Sequence, residues 1–118
     1  MDILKAKPRW IRLDNNAQYE VPHGKGLIIL GGSIAHVTAS NTSVEVDLPR
    51  NLTPEVQTTN IVGYVPSATV NGTYPLFNAL ADVNHAVWSP TIYLEGSKLT
   101  SGGDAASYTV FCILEFDV

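Results

Sequence analysis

The stretch from Ser107 to Val118 carries twelve residues without a proline or glycine, and most are aromatic, β-branched or aliphatic. It reads as one long β-strand. Side chains alternate across a strand, so Tyr108, Val110, Cys112, Leu114, Phe116 and Val118 share one face. Thr109, Phe111, Ile113, Glu115 and Asp117 share the other. The first face is apolar along its length, and the second is apolar in the middle. A strand coated this way is covered on both sides at its centre. Two sheets of one domain can supply that cover, or a neighbouring subunit can.

Shorter alternating runs recur along the chain, with turn residues between them. Pro8 to Leu13 sets Trp10 and Arg12 against Arg9, Ile11 and Leu13. Asp14-Asn15-Asn16 turns the chain, because these residues tolerate left-handed backbone. Gln18 to Val21 follows, then the apolar run from Gly26 to Leu30. The Gly31-Gly32 pair marks a hairpin turn or a bulge, and Ser33 to Ala39 alternates again. In Ser43 to Leu48, Val44, Val46 and Leu48 face one way and Ser43, Glu45 and Asp47 the other. Pro49 to Thr59 reads as a loop, Asn60 to Val65 as a strand, and Asn71-Gly72 as a hairpin turn. Thr73 to Ala81 is either a short helix, on the spacing of Leu76, Ala79 and Leu80, or a strand or irregular segment. Val87-Trp88 and Pro90 to Leu94 make an interrupted strand before turns at Glu95-Gly96-Ser97-Lys98 and Ser101-Gly102-Gly103-Asp104. Roughly eight to ten strands in one domain, residues 1–118, predict an all-β antiparallel sandwich, jelly-roll-like, or a barrel.

Composition narrows the function. Only 15% of the 118 residues are charged, against about a quarter in ordinary soluble domains. Thr, Asn, Ser and Gly fill the difference, a composition suited to packed assemblies and sugar-facing surfaces. The net charge is -4, and Lys5, Lys7, Arg9 and Arg12 are the densest run of positives. That is too few to track phosphates, so nucleic acid is not the expected partner. Cys112 is the lone cysteine, which excludes an internal disulfide. Met1-Asp2-Ile3-Leu4-Lys5 lacks the apolar stretch of a secretory leader. Leu27-Ile28-Ile29-Leu30 is far too short to enter a membrane. The expectation is synthesis in a cytoplasm without membrane insertion.

Few residues suggest chemistry. His23, His36 and His85 lie far apart and show no metal-ligand spacing. Glu45 with Asp47, and Glu115 with Asp117, put two carboxylates on one side of a strand about 7 Å apart. Such pairs hold a cation or an acid and base, or more commonly mark a solvated face or guard a sheet edge. There is no nucleophile elbow, phosphate loop or dinucleotide fingerprint. The chain is therefore expected to be non-enzymatic, with no cofactor and no metal. The segment from Ala81 to Trp88 has the best mix for recognition. Trp88 offers a ring for an apolar sugar face, while Asp82, Asn84 and His85 offer groups for hydroxyls. Tyr93 and Trp10 extend that candidate surface. Trp88 is equally readable as core, with Asp82 to His85 as an ordinary polar loop.

A resemblance joins some of these segments. Asp47-Leu48-Pro49-Arg50-Asn51-Leu52-Thr53-Pro54 is followed by several strands and then by Thr91-Ile92-Tyr93-Leu94-Glu95-Gly96-Ser97-Lys98-Leu99. A glycine loop and the closing strand complete the order. The stretch from Val44 to the end resembles the receptor-binding head domains of phage tail fibres and baseplates, as in lactococcal siphophages that infect Gram-positive bacteria. The resemblance covers about three fifths of the chain and rests on turns and strand order. It implies a β-sandwich or barrel head on a virion tail tip, assembled as a homotrimer among other virion proteins. It also implies binding of cell-surface saccharide through a Trp, a His and an Asp, residue types found here as Trp88, His85 and Asp82. Their order and spacing follow no alignable motif. The shoulder and neck of a whole receptor-binding protein have no counterpart, so the chain is a head alone or a distinct small virion component. Two other readings are a structural virion protein without a ligand, such as a capsid decoration or fibre knob, and a lectin-like domain outside phages.

Overall fold

Alternation breaks at Gly31-Gly32, yet the strand that contains them does not. The computed structural model describes residues 3–37, 42–49, 59–65, 72–77, 91–101 and 108–118. After a 3-10 turn at Ile3–Lys5 come β1 (Arg9–Asp14), β2 (Gln18–Glu20), β3 (Lys25–Val37), β4 (Thr42–Asp47) and β5 (Thr59–Val65). Then follow β6 (Gly72–Pro75), β7 (Ile92–Leu94), β8 (Lys98–Thr100) and β9 (Tyr108–Asp117). The fold is all-β, and every described pairing is antiparallel. Among the described residues, no helix is long and apolar enough to cross a membrane.

The first sheet has the order β1-β9-β3-β6, with β7 also paired to β3; the second has the order β2-β8-β4-β5. The chain changes sheet between most successive strands, and β4-β5 stays within the second. This is the double Greek-key course of a jelly roll, with β7 as an added strand. The long β3 makes the arrangement possible. Its far half, Ser33 to Val37, pairs with β6, and its near half, Gly26 to Ile28, pairs with β7.

Gly31-Gly32 forms a bulge, not a hairpin. Ile29 opposes Ile113 and Gly31 opposes Cys112, leaving Leu30 as the extra residue. The bulge turns β3 without ending it, so its inward face passes from Leu27 and Ile29 to Ile34. The hairpin expected at Asn71-Gly72 lies partly outside the described residues, which resume at Gly72 with the start of β6. In Thr73 to Ala81 the alternatives resolve as far as Phe77: a strand to Pro75, then a turn at Leu76-Phe77. Phe77 has φ 54° and its amide donates to Val62 O at 2.7 Å, which ties the end of β6 to the second sheet.

Leu27, Ile29, Ile34, Phe111 and Ile113 from the first sheet pack against Val44, Val46, Val62 and Leu99 from the second. Thus β9 turns its mixed face inward. Thr109, Phe111 and Ile113 are wholly buried, while Val110, Cys112 and Leu114 on the fully apolar face are only half-buried. Burial of Thr109 is offset by a hydroxyl partner, Ser101, at 3.1 Å. Glu45 and Asp47 are not edge guards, because β4 is paired there on both sides, with β8 and with β5. Glu115 and Asp117 lie beyond the β1 pairing, which ends at Ile113, and their described strand partners are on the β3 side.

Candidate functional site

The outward face of the second sheet is polar across β2, β8 and β4, and on β5 Ile61 and Tyr64 stand beside Glu45 and Ser43. Register sets Gln18, Thr100 and Glu45 in one row, and Glu20, Lys98 and Asp47 in the next. Gln18 Nε2 donates to Thr100 Oγ1 at 3.2 Å, and Thr59 Oγ1 donates to Asp47 Oδ1 at 3.2 Å. Lys98 stands 4.0 Å from Glu20. Alternation produces this face, since the intervening Val44, Val46 and Leu99 go to the core.

One end of this face deepens into a cleft of about 230 Å³ lined by Asn16, Ser43, Glu45, Thr100 and Ser101. Local chemistry places each group. Asn16 sits at φ 64° in the β1–β2 turn, which closes when the Ala17 amide donates to Asp14 O at 2.8 Å. The Ser101 amide donates to Ala17 O at 3.0 Å, drawing the end of β8 to that turn. The Ser101 hydroxyl meets Thr109 on β9, so the cleft floor is fixed to the first sheet. Ser43 and Glu45 are two apart on β4 and point the same way; Ser43 Oγ donates to Glu45 Oε1 at 3.3 Å. Glu45 is half-buried and has no ion-pair partner among the described residues.

The cleft therefore presents a carboxylate that accepts, hydroxyls that donate and accept, and an amide that does both. That set matches neighbouring hydroxyls of a sugar ring. The volume lies below the ~300 Å³ at which ligand pockets usually begin, so the cleft suits one small unit of a longer chain.

Of the residues expected to bind saccharide, Asp82, Asn84, His85 and Trp88 lie outside the described residues. Tyr93 is corrected: its ring is 1% exposed and belongs to the core. On β7 it pairs with Leu27 and shares that residue's inward face, so it has no free face for a sugar. Burial raises the Tyr93 pKa, and the nearby Asn60 amide offsets part of the rise without reaching hydrogen-bonding geometry. Trp10 is 65% exposed on the opposite sheet from the cleft. His23 is exposed, with Nδ1 2.5 Å from Glu95 Oε2. No group of three potential metal ligands occurs among the described residues.

Of the cleft residues, sequence reading singled out only Glu45, and that as half of a carboxylate pair with Asp47 and not as a saccharide ligand. Ser43 and Glu45 were legible as the polar side of a strand, and Asn16 and Ser101 as turn residues. Their meeting depends on the pairing of β4 with β8, more than fifty residues apart. Compared with protein-family models, curated proteins and solved structures, the chain matches none of them.

Proposed function

We propose that this chain is a phage tail-tip or baseplate head domain that holds a saccharide of the host cell wall, without catalysis, and assembles as a homotrimer with other virion proteins. The observation that carries the reading is the cleft at Asn16, Ser43, Glu45, Thr100 and Ser101, a cluster of hydroxyl-matching groups. Jelly-roll frames are used by lectin and viral domains alike, so the frame supports the reading only by analogy. The sparse charge of the whole chain supports it too, since hydroxyl-rich ligands need directional hydrogen bonds more than a strong field.

The competing reading is a structural virion component without a ligand. The apolar outward side of the first sheet favours that reading, because it suits packing and not recognition. A glycan array probed with the intact chain, followed by titration with purified host wall polysaccharide, separates them. Saturable binding weakened by Glu45→Ala supports the adhesin. No binding at millimolar sugar, together with firm attachment to purified particles, supports the structural component.

A further inference from the structure

Glu45 is the one charged group among the described residues that line the cleft. Its carboxylate is half-buried, and its described hydrogen-bond partner is the neutral Ser43 hydroxyl at 3.3 Å. On β5 the residue opposite it is Ile61, an apolar neighbour that offers it no side-chain hydrogen bond. The cations of the described strands are engaged elsewhere. Arg9 stands against Glu115, Arg12 against Asp14, Lys25 against Asp117 and Lys98 against Glu20. Lys98 is also level with Asp47, so the row beside the cleft holds two carboxylates and one ammonium. The field over the cleft is therefore negative. A carboxylate held partly out of water is left there without a counter-charge.

We infer that the cleft takes an amino sugar, a unit whose primary ammonium meets Glu45 while its neighbouring hydroxyls meet Ser43, Thr100 and Asn16. The inference rests on the saccharide part of the proposed function and narrows its ligand. Thr100 is opposite Glu45 in register and Ser43 is two residues away on the same strand, so neutral hydrogen-bonding groups flank the carboxylate. An ammonium brings a full charge and three donors to it. Charge-assisted hydrogen bonds of this kind are roughly twice as strong as neutral ones. N-acetylation of the same unit removes that charge. A phosphorylated unit sets like charge against Glu45 and is disfavoured. The order of preference is therefore free amine, then neutral sugar, then phosphosugar.

The test is calorimetric titration of the intact chain with glucosamine tetramer, N-acetylglucosamine tetramer, cellotetraose and phosphorylated cellotetraose, which share one backbone linkage. Salt at about 0.15 M screens long-range attraction to the acidic chain. The glucosamine tetramer is expected to bind roughly 10- to 100-fold more tightly than the N-acetylated and neutral forms, and the phosphorylated form most weakly. Glu45→Gln keeps the shape of the side chain and removes its charge. It is expected to bring the glucosamine and neutral tetramers to within about threefold of each other. Asp47→Asn removes the same charge from the neighbouring row and is expected to keep the preference, which separates a contact at Glu45 from general attraction. A glucosamine preference that survives Glu45→Gln overturns the assignment. So does a neutral or phosphorylated tetramer that binds the wild type at least as tightly as glucosamine. Either result leaves the saccharide reading standing. Absence of binding to all four overturns the amino-sugar inference as well, and titration with the wall polysaccharide then shows whether saccharide binding falls with it.

Discussion

The Tyr19 hydroxyl, from the second sheet, donates to the Glu115 carboxylate, from the first, and so bridges the rim of the sandwich. Arg9 completes the contact: its Nη2 donates to Tyr19 Oη at 3.0 Å and lies 3.7 Å from Glu115 Oε2. Burial, and then donation to Glu115, raises the Tyr19 pKa above its ordinary value of 10.0. A group whose folded pKa is raised contributes stability below its unfolded pKa and loses it as pH climbs through the folded one. Stability is therefore expected to hold to about pH 10 and fall above it. Tyr19→Phe is expected to cost about 1 kcal/mol at pH 7 and to flatten the alkaline decline. Urea melts from pH 7 to 11 check both. An alkaline limb as steep in the variant as in the wild type would show that Tyr19 does not carry the effect.

Two adjacent glycines are expected to respond very differently to alanine. Gly32 has φ +148°, and a Cβ there would lie 2.0 Å from Val110 O on the paired strand. Gly32→Ala is expected to destabilise by roughly 2–4 kcal/mol, since backbone must shift in the centre of the first sheet. Gly31 has no atom within 4 Å of the same position. Gly31→Ala is expected to stay within about 0.5 kcal/mol of the wild type. Thermal melts of the two variants decide the matter, and equal losses would refute the bulge geometry.

The glycine pair also shows what a sequence can and cannot reveal. Val44, Val46 and the alternation of β9 announced strands, because a period of two is local. That Gly31-Gly32 bends a strand instead of ending it depends on pairing with Cys112 and Phe111, eighty residues away. The inward face of β9 was hidden for a similar reason. Its more apolar face is the outward one, and the buried Thr109 is tolerable only because Ser101 meets it. In the cleft, Glu45 was visible as a polar alternate, but its neighbours Thr100 and Asn16 come from other strands and turns. The reading of Tyr93 as surface failed because β7 is too short to show its period. Only its pairing with Leu27 shows which side faces inward.

Tyr93 yields a stability prediction of the less common sign. Its hydroxyl is buried without a hydrogen-bond partner among the described residues. Removing an unsatisfied buried hydroxyl relieves a desolvation cost instead of breaking a bond. Tyr93→Phe is expected to be neutral or to stabilise by up to about 1 kcal/mol. Chemical denaturation measures this directly. A clear loss of stability would mean that the hydroxyl is bonded after all.

Saccharide recognition, if centred on the cleft, depends most on Glu45, because its carboxylate is half-buried and its only described partner is the neutral Ser43 hydroxyl. Hydrogen bonds to a charged group are worth roughly 1.5–3 kcal/mol, so Glu45→Ala is expected to weaken wall-polysaccharide binding about 10- to 100-fold. Thr100→Val removes a neutral hydroxyl and is expected to cost about tenfold or less. Glu45 lies on the polar face of the sheet, and its apolar strand neighbours Val44 and Val46 keep their packing, so melting temperatures should change little in either variant. Trp88→Ala and His85→Ala provide the contrast, as they test the alternative seat in Ala81 to Trp88. Calorimetric titration of all four against the same polysaccharide distinguishes the two locations. Loss of binding in Trp88→Ala and His85→Ala with full affinity in Glu45→Ala would move the site away from the cleft and restore it to the loop.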